Sequence, residues 1–251
     1  MISLQDYLGG KFRGVEGWCV PHIWQCIEPI DRLQKAQGLA LPIAEIGVHH
    51  GKFFIGLALM KCEARGHTAI DVFENQRFNP DKSGHGDSGA LLRNMRECGL
   101  DVEGAVRLVA RDSLSLTMAD AVEYGKAFSM FSIDGCHDAL HTYRDLDFAM
   151  QTTHQSGIIF VDDYYNEDWP GVHEGVARYY NNNMPAFVPL AYSVKKLILC
   201  HASHHENYLD ALRAHLKEHF PSTKVKIVER YGWRNLTVKP ALKDKRYLSA
   251  D

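Results

Sequence analysis
The sequence predicts an α/β fold in which one largely parallel sheet is covered by helices on both faces. Three observations carry the prediction. Short apolar runs alternate with amphipathic stretches through five cycles and then give way to a pair of apolar runs, the pattern that successive strand–helix–strand units leave in a chain. Acidic residues recur at or just beyond the ends of these runs, at Glu45, Asp71, Asp112, Asp134 and Asp162, so a parallel sheet would gather them along one edge. With 251 residues and 45% hydrophobic content, the chain can bury one substantial core without a partner. A single domain over 1–251 is expected, divided into an N-terminal helical arm or lid (1–40), a core (41–200) and a C-terminal helix with strands (201–251).

The first cycle is the most informative. Ile43-Ala44-Glu45-Ile46-Gly47-Val48-His49-His50-Gly51-Lys52 is an apolar run holding an acid, followed by two glycines four apart, and an amphipathic segment from Phe53 to Ala64 follows directly. It reads as strand, glycine turn and helix. Glycine lets backbone approach a ligand with no Cβ in the way, and the helix start presents free N–H groups to it. The spacing Glu-x-Gly-x-x-x-Gly lacks the three-glycine pattern that makes room for a dinucleotide pyrophosphate, and suits a phosphate-free sulfonium nucleoside better. Turns of this kind also serve packing alone, and both readings stand at this point.

Residues 1 to 42 read as helical and irregular, with Gly9, Gly10 and Gly14 loosening the start and Pro21 and Pro29 each placed to open a short helix. The segment is either a cap over a site or a packing arm. After Arg65-Gly66, the run Gly66 to Phe73 is a second strand with Asp71 near its end, where an acid can accept from the two hydroxyls of a ribose. Asn75 to Gly89 is polar and rich in turn formers, a long loop expected to border a ligand. Ala90 to Cys98 is a helix, Ala105 to Ala110 a third strand that runs into Asp112-Ser113, and Thr117 to Tyr124 a helix.

Ala127 to Ile133 is the fourth strand and delivers Asp134-Gly135-Cys136-His137 at its end. Asp138 to Met150 is a helix, and Gly157 to Val161 a fifth strand, buried on both faces, that stops at Asp162-Asp163. Two adjacent carboxylates there repel each other and cost desolvation, so a cation or a shared proton is expected beside them. A helix from Val172 to Tyr180, strands at Ala186 to Leu190 and Lys195 to Cys200, a helix marked by Tyr208, Leu212 and Leu216, and strands at Lys224 to Glu229 and Asn235 to Val238 complete the pattern. The charged tail after Pro240 is expected to fray.

Bulk properties narrow the partners. Net charge is −3 with no basic block, which argues against a nucleic-acid or anionic-membrane surface. No apolar run approaches bilayer length and Met1 to Gly10 lacks a signal-like core, so a cytoplasmic protein is expected. Six cysteines are scattered without a C-x-x-C pair, which reads as mostly buried thiols. His201, His204, His205, His215 and His219 invite a zinc reading, but no acid or cysteine completes a pattern, and a solvated helix face is expected instead.

Taken in order, Glu45-Ile46-Gly47-Val48-His49-His50-Gly51, Asp71, Asp112-Ser113, Ile133-Asp134-Gly135-Cys136-His137 and Val161-Asp162-Asp163-Tyr164 resemble the motifs of class I S-adenosylmethionine-dependent methyltransferases. Among these the chain is most similar to metal-dependent small-molecule O-methyltransferases of the macrocin and catechol type, over roughly Leu41 to Tyr180. The resemblance implies a Rossmann-like, seven-stranded, mostly parallel sheet whose last strand is antiparallel. It implies that Glu45, Gly47 and Gly51 line the methionine part of S-adenosyl-L-methionine, that Asp71 holds the ribose, and that Asp112 with Ser113 lies on the adenine side, with Asp134 also at the cofactor.

Metal-dependent relatives place one acid after the fourth strand and an acid pair after the fifth, here Asp134, Asp162 and Asp163, a set suited to Mg²⁺ or a similar hard divalent cation. Several carry a second acid where Cys136 stands. His137 has the offset from Asp134 at which catechol-type relatives place a basic residue, which makes it the candidate general base; a helix-start or metal-ligating histidine is the alternative. His141, His173, Tyr164, Tyr165 and Trp169 are further pocket candidates, or packing residues. The expected activity is methyl transfer to a hydroxyl of a small molecule, with sugar, polyketide and phenolic acceptors and a homo-oligomeric state left open. The alternatives are a metal-independent methyltransferase with His137 as base and a silent nucleoside-binding protein of the same fold.

Overall fold
The structure, a computed structural model, describes residues 1–241, so the tail expected to fray lies almost wholly outside the described residues. Helical turns at Leu4–Asp6, Tyr7–Lys11 and Phe12–Gly14 lead to helix α1 (Trp24–Ala36). Then follow β1 (Ile43–Ile46), α2 (Lys52–Met60), β2 (His67–Asp71), α3 (Ser88–Glu97), β3 (Val106–Ala110), α4 (Met118–Tyr124), β4 (Phe128–Ile133), α5 (Ala139–Thr152) and β5 (Thr153–Val161). The chain ends with α6 (Pro170–Asn182), β6 (Phe187–Ser193), β7 (Lys196–His201), α7 (His205–His219), β8 (Lys224–Arg230) and β9 (Trp233–Lys239).

The strands form one sheet in the order β3-β2-β1-β4-β5-β7-β6-β9-β8. Strands β1 to β5 pair in parallel, and β7 is antiparallel to both β5 and β6, so the seven expected strands occupy the first seven places. Two more extend them: β9 pairs in parallel with β6, and β8 antiparallel with β9. Strands β1 and β4 are buried along their whole length, as strands covered on both faces must be. Alternation sorts the side chains between the faces: Ile158 and Phe160 join the layer of α1, α2 and α7, while Ile159 and Val161 join that of α5 and α6. Fully burying each such side chain contributes about 1.5–3 kcal/mol, which makes the register of the central strands hard to shift.

Helix α1 departs from the sequence reading, because Pro29 lies inside it rather than at its first turn. Its ring forgoes one backbone bond, but Trp24, Ile27 and Ile30 of the same helix are fully buried, and that packing holds the helix through the proline. Trp24 in turn lies where a Cβ on Gly56 would stand, 2.4 Å from the ring. Helix α1 of the arm is therefore packed on the core, while the arm segment before that helix, Glu16 to Val20, reaches the rim of the cleft described below. Among the described residues, no helix is long and apolar enough to cross a membrane.

Backbone hydrogen bonds between strand exits align the edge that matters. Gly47 donates to the Ile70 carbonyl at 2.9 Å, Asp134 to Ile46 at 2.8 Å, Asp162 to Ile133 at 2.9 Å and Arg111 to Asp71 at 3.0 Å. Each exit is thus stitched to its neighbour one residue past the strand. Side chains from four crossovers are delivered to one rim, at the point where the order turns from β2 and β3 on one side of β1 to β4 and β5 on the other.

Candidate active site
A cleft of about 760 Å³ opens at this rim. Glu45, Gly47, Asp71, Asp112, Ser113, Asp134, His137, Asp162 and Asp163 all line it. Gly51 does not. It starts α2 with φ +90°, and an added Cβ would stand 2.4 Å from the Leu91 side chain, so its glycine serves the turn and the packing of α3 rather than contact with a ligand. Gly47 has φ +81°, and its missing Cβ would fall 1.8 Å from the Asp134 carbonyl oxygen. Only glycine lets the exits of β1 and β4 approach this closely.

Glu45 is 2% exposed, and its Oε2 has no hydrogen-bond partner among the described residues. Burial raises its pKa to about 8, against the opposing pull of Lys196 and Ser132. A buried, orphaned carboxylate oxygen at the wall of a cleft is a ready acceptor for a ligand's cationic or N–H group. Asp71 accepts from the His49 N–H at 2.8 Å and from the Phe73 N–H at 2.7 Å, one on each oxygen. It therefore ties the glycine turn to its own loop, and each oxygen keeps acceptor capacity at the cleft wall. Burial raises its pKa despite these bonds. Asp112 accepts from the Leu114 N–H at 3.0 Å, with Ser113 beside it.

At the other end of the cleft the acids meet. One ligand-capable atom each from Asp134, His137 and Asp163 lies within 4.8 Å of the others. Asp162, grouped with Asp134 and Asp163 on the sequence, is engaged differently: one oxygen accepts from the Asp163 N–H at 2.9 Å, and the other forms a tight ion pair with the Lys196 ammonium. Lys196 also stands 3.9 Å from Asp134 and 4.4 Å over the Phe53 ring, with its side chain 2% exposed. The cation expected beside the acid pair is thus present as a lysine from β7. Burial disfavours its charge, but Asp162 and Asp134 outweigh burial and raise its pKa above the ordinary lysine value. Asp134 is itself shifted upward, by burial and by the charge of Asp162.

His137 is held from three sides. Its Nδ1 lies 2.7 Å from Asp81, its Nε2 lies 3.4 Å from Asp163, and its ring stacks on Trp169 with centroids 4.3 Å apart. Asp81 also accepts the His137 backbone N–H at 2.9 Å, which fastens the long loop after β2 across the cleft. Burial works against charging the ring, yet the hydrogen bonds to Asp163 and Asp81 and the charge of Asp134 lift its pKa to about 10. A carboxylate beside each ring nitrogen thus favours the protonated form of His137.

Of the further candidates, Trp169 lines the cleft, whereas Tyr164, Tyr165 and His173 stack on one another, with Tyr192, outside it. His141 faces Asp112 and Asp138 rather than His137. The late histidines do not form a solvated face: His205 is 1% and His215 7% exposed, because both turn inward from α7. Asp81 and Lys196 were not found from sequence. Lys196 left a signal, since strand alternation places it on the face of Ile198 and Cys200 in a fully buried run, where a lysine needs an acidic partner. Asp81 left none, being one acid in a polar loop.

Residues 44–164 match the model of a methyltransferase domain. No curated protein sequence matches the chain. Among solved structures, the fold is similar to that of CalS11, a TDP-rhamnose 3′-O-methyltransferase, at 15% identity over 71% of this chain and 79% of that one, with TM-score 0.52. It is similar to the O-methyltransferase NovP at 16% identity over 70% of this chain and 79% of that one, TM-score 0.51. The MycE methyltransferase in complex with Mg and SAH shares 14% identity over 80% of this chain and 55% of that one, TM-score 0.52. Residues 44–164 thus match a methyltransferase domain, and the sheet has the fold of the methyltransferase structures just named. The acid-rich rim just described lies at the strand ends of that matched segment.

Proposed function
We propose that the protein transfers the methyl group of S-adenosyl-L-methionine to a hydroxyl oxygen of a small molecule, with a hard divalent cation held at Asp134 and Asp163 and His137 as general base. The observation that carries this reading is the line Asp81–His137–Asp163 beside Asp134, at the rim that also presents Glu45 and Asp71. A base oriented by a carboxylate on one nitrogen, with the other facing the cleft, is the arrangement that proton removal from an acceptor requires. The O-methyltransferase activity of CalS11 and NovP and the Mg in the MycE complex point the same way.

Glu45, with its orphaned oxygen, would take the methionine part of the cofactor and Asp71 its ribose hydroxyls; when bound, the cofactor supplies an electrophilic methyl on sulfur. Asp134, Asp163 and the nearby Asp162 offer the oxygen ligands a hard divalent ion prefers, and such an ion lowers the pKa of a hydroxyl beside it. Asp163 is the carboxylate such an ion would engage, and with its charge so engaged it would hold the proton on His137 Nε2 less firmly, leaving that nitrogen the candidate acceptor of the hydroxyl proton. Trp169 keeps the ring in its plane, and the Asp81 loop covers the cleft from bulk water. Much of the rate would come from holding acceptor oxygen and methyl carbon in line.

The ion pair of Lys196 with Asp162 favours a second reading, since it already compensates part of the acid cluster without a metal. One experiment separates the two: calorimetric binding of S-adenosyl-L-methionine, then turnover on a panel of sugar, polyketide and phenolic hydroxyls with Mg²⁺ or with excess EDTA. Activity that requires Mg²⁺ is expected. Turnover unchanged in EDTA selects metal-free catalysis, binding without turnover a silent nucleoside-binding protein, and no binding at millimolar cofactor removes the reading.

A further inference from the structure
Cys136, in the turn after β4, is not alone. Asp138 caps the start of α5: its Oδ1 accepts from the Leu140 and His141 N–H groups, both at 2.8 Å. This duty turns Oδ2 outward, 2.7 Å from His141 Nδ1 and 3.5 Å from Cys136 Sγ. One ligand-capable atom from each of the three residues lies within 4.8 Å of the others, and the set shares no member with Asp134, His137 and Asp163. We infer that Cys136, Asp138 and His141 form a second cation site on the cleft wall, suited to a borderline-soft divalent ion such as Zn²⁺.

The spacing is C-x-D-x-x-H, and the helix start converts it into a convergent set. An independent observation fixes the histidine. His141 is 7% exposed, with Nδ1 2.7 Å from Asp138 Oδ2 and Nε2 3.5 Å from Asp112 Oδ1, so an ion taken at Nδ1 would move the ring proton from Nδ1 to Nε2, where Asp112 stands to accept it. A carboxylate behind a ligating imidazole is the usual support for a metal-bound histidine. Sulfur decides the kind of ion: a thiolate, an imidazole and one carboxylate select zinc over magnesium, with the fourth position left to water.

Zinc bonds of about 2.3 Å to sulfur and about 2.0 Å to nitrogen or oxygen set tetrahedral ligands roughly 3.3–3.6 Å apart, so Sγ at 3.5 Å from Oδ2 already fits while Oδ2, now 2.7 Å from Nδ1, must draw back by roughly 0.6 Å. The half-exposed Asp138 side chain is free to move that far. Binding replaces the Cys136 S–H bond with a sulfur–zinc bond and releases the proton to solvent. Burial first, and then the neighbouring Asp81 and Asp138 carboxylates, hold that thiol protonated up to about 12, and the same negative field draws a cation in. The positive end of α5 opposes the ion, but Asp138 already screens it. Because Asp112 belongs to the cleft wall after β3, the bound ion braces that wall against the start of α5.

The test uses the full chain without cofactor, titrated with Co²⁺ as the spectroscopic stand-in for zinc. Absorption from thiolate-to-cobalt charge transfer should grow to one equivalent, disappear on addition of Zn²⁺, and be absent in Cys136→Ser. Asp138→Asn keeps an oxygen for the helix cap but loses the charge, and should weaken cobalt binding at least tenfold with an unchanged melting temperature. Zinc should raise the melting temperature of the wild type and leave that of Cys136→Ser where it is. Cobalt binding with no charge-transfer band, or a band that survives Cys136→Ser, would overturn the assignment.

Discussion
Replacing Lys196 with methionine tests the electrostatic design of the cleft directly. The methionine side chain is unbranched and near in length, so contact with Phe53 is retained while the ammonium is lost. Asp162 and Asp134 then share a buried edge with Glu45 and no lysine among them. Leaving one partner of a buried pair uncompensated typically costs about 3–5 kcal/mol. The Asp162 and Asp134 side chains keep 14% and 22% exposure, which lets solvent screen part of the repulsion. The expected loss is therefore near the lower figure, about 3 kcal/mol. Two signatures separate this cause from a packing defect. The deficit should shrink as pH falls, because the folded-state pKa of Asp134 is already raised and would rise further; its protonated form carries no repulsion, so stability is regained below that pKa and lost above it. Mg²⁺ or Mn²⁺ should also rescue the variant, since an ion at one hundred times its dissociation constant adds about 2.7 kcal/mol. Urea unfolding with metal and with EDTA, at neutral and mildly acidic pH, reads both. A variant within about 0.5 kcal/mol of wild type, the range of ordinary surface changes, would refute the role given to Lys196. So would a deficit indifferent to pH and to metal.

Asp71→Asn should weaken S-adenosyl-L-methionine binding by about ten- to a hundredfold, the 1.5–3 kcal/mol of a hydrogen bond to a charged acceptor; calorimetry checks it, and an unchanged affinity would detach Asp71 from the ribose. His67, 1% exposed, accepts the Ile43 N–H on Nδ1 at 3.2 Å, and burial lowers its pKa from 6.5 to about 4. The unfolded chain therefore binds a proton that the folded chain refuses between those values, so the His67 contribution to stability should be flat above 6.5 and fall by up to about 1.4 kcal/mol per pH unit toward 4. His67→Gln should remove that slope; unfolding free energies measured from pH 7.5 down to pH 4.5 that run parallel for the two proteins would contradict it.

The strands and helices of the parallel half were legible because each is written locally, in runs whose period matches the element. The acids at the strand exits were legible for the same reason: a register of backbone bonds carries Asp134 and Asp162 to the rim once their strands are identified. Gly47 and Gly51 looked alike in sequence and separated only in three dimensions, where one meets the Asp134 carbonyl and the other the Leu91 side chain. The partners of the acids lay beyond sequence reach. Asp81 meets His137 across 56 residues and Lys196 meets Asp162 across 34, and neither distance leaves a period or a spacing to read. What the sequence does contain is the demand. Adjacent carboxylates at the end of a buried strand must be compensated, and the compensating group can be a proton, a metal or a side chain. In this fold all three kinds of answer lie within one cleft: a proton on His137, an ammonium from Lys196 and a set of oxygens fit for an ion. Because they answer the same charge, they are coupled, and displacing one changes the need for the others. That coupling is why removing Lys196 is expected to turn a tolerated metal into a required one for stability, and why the proton on His137 and the ion at Asp134 and Asp163 are expected to exchange rather than coexist.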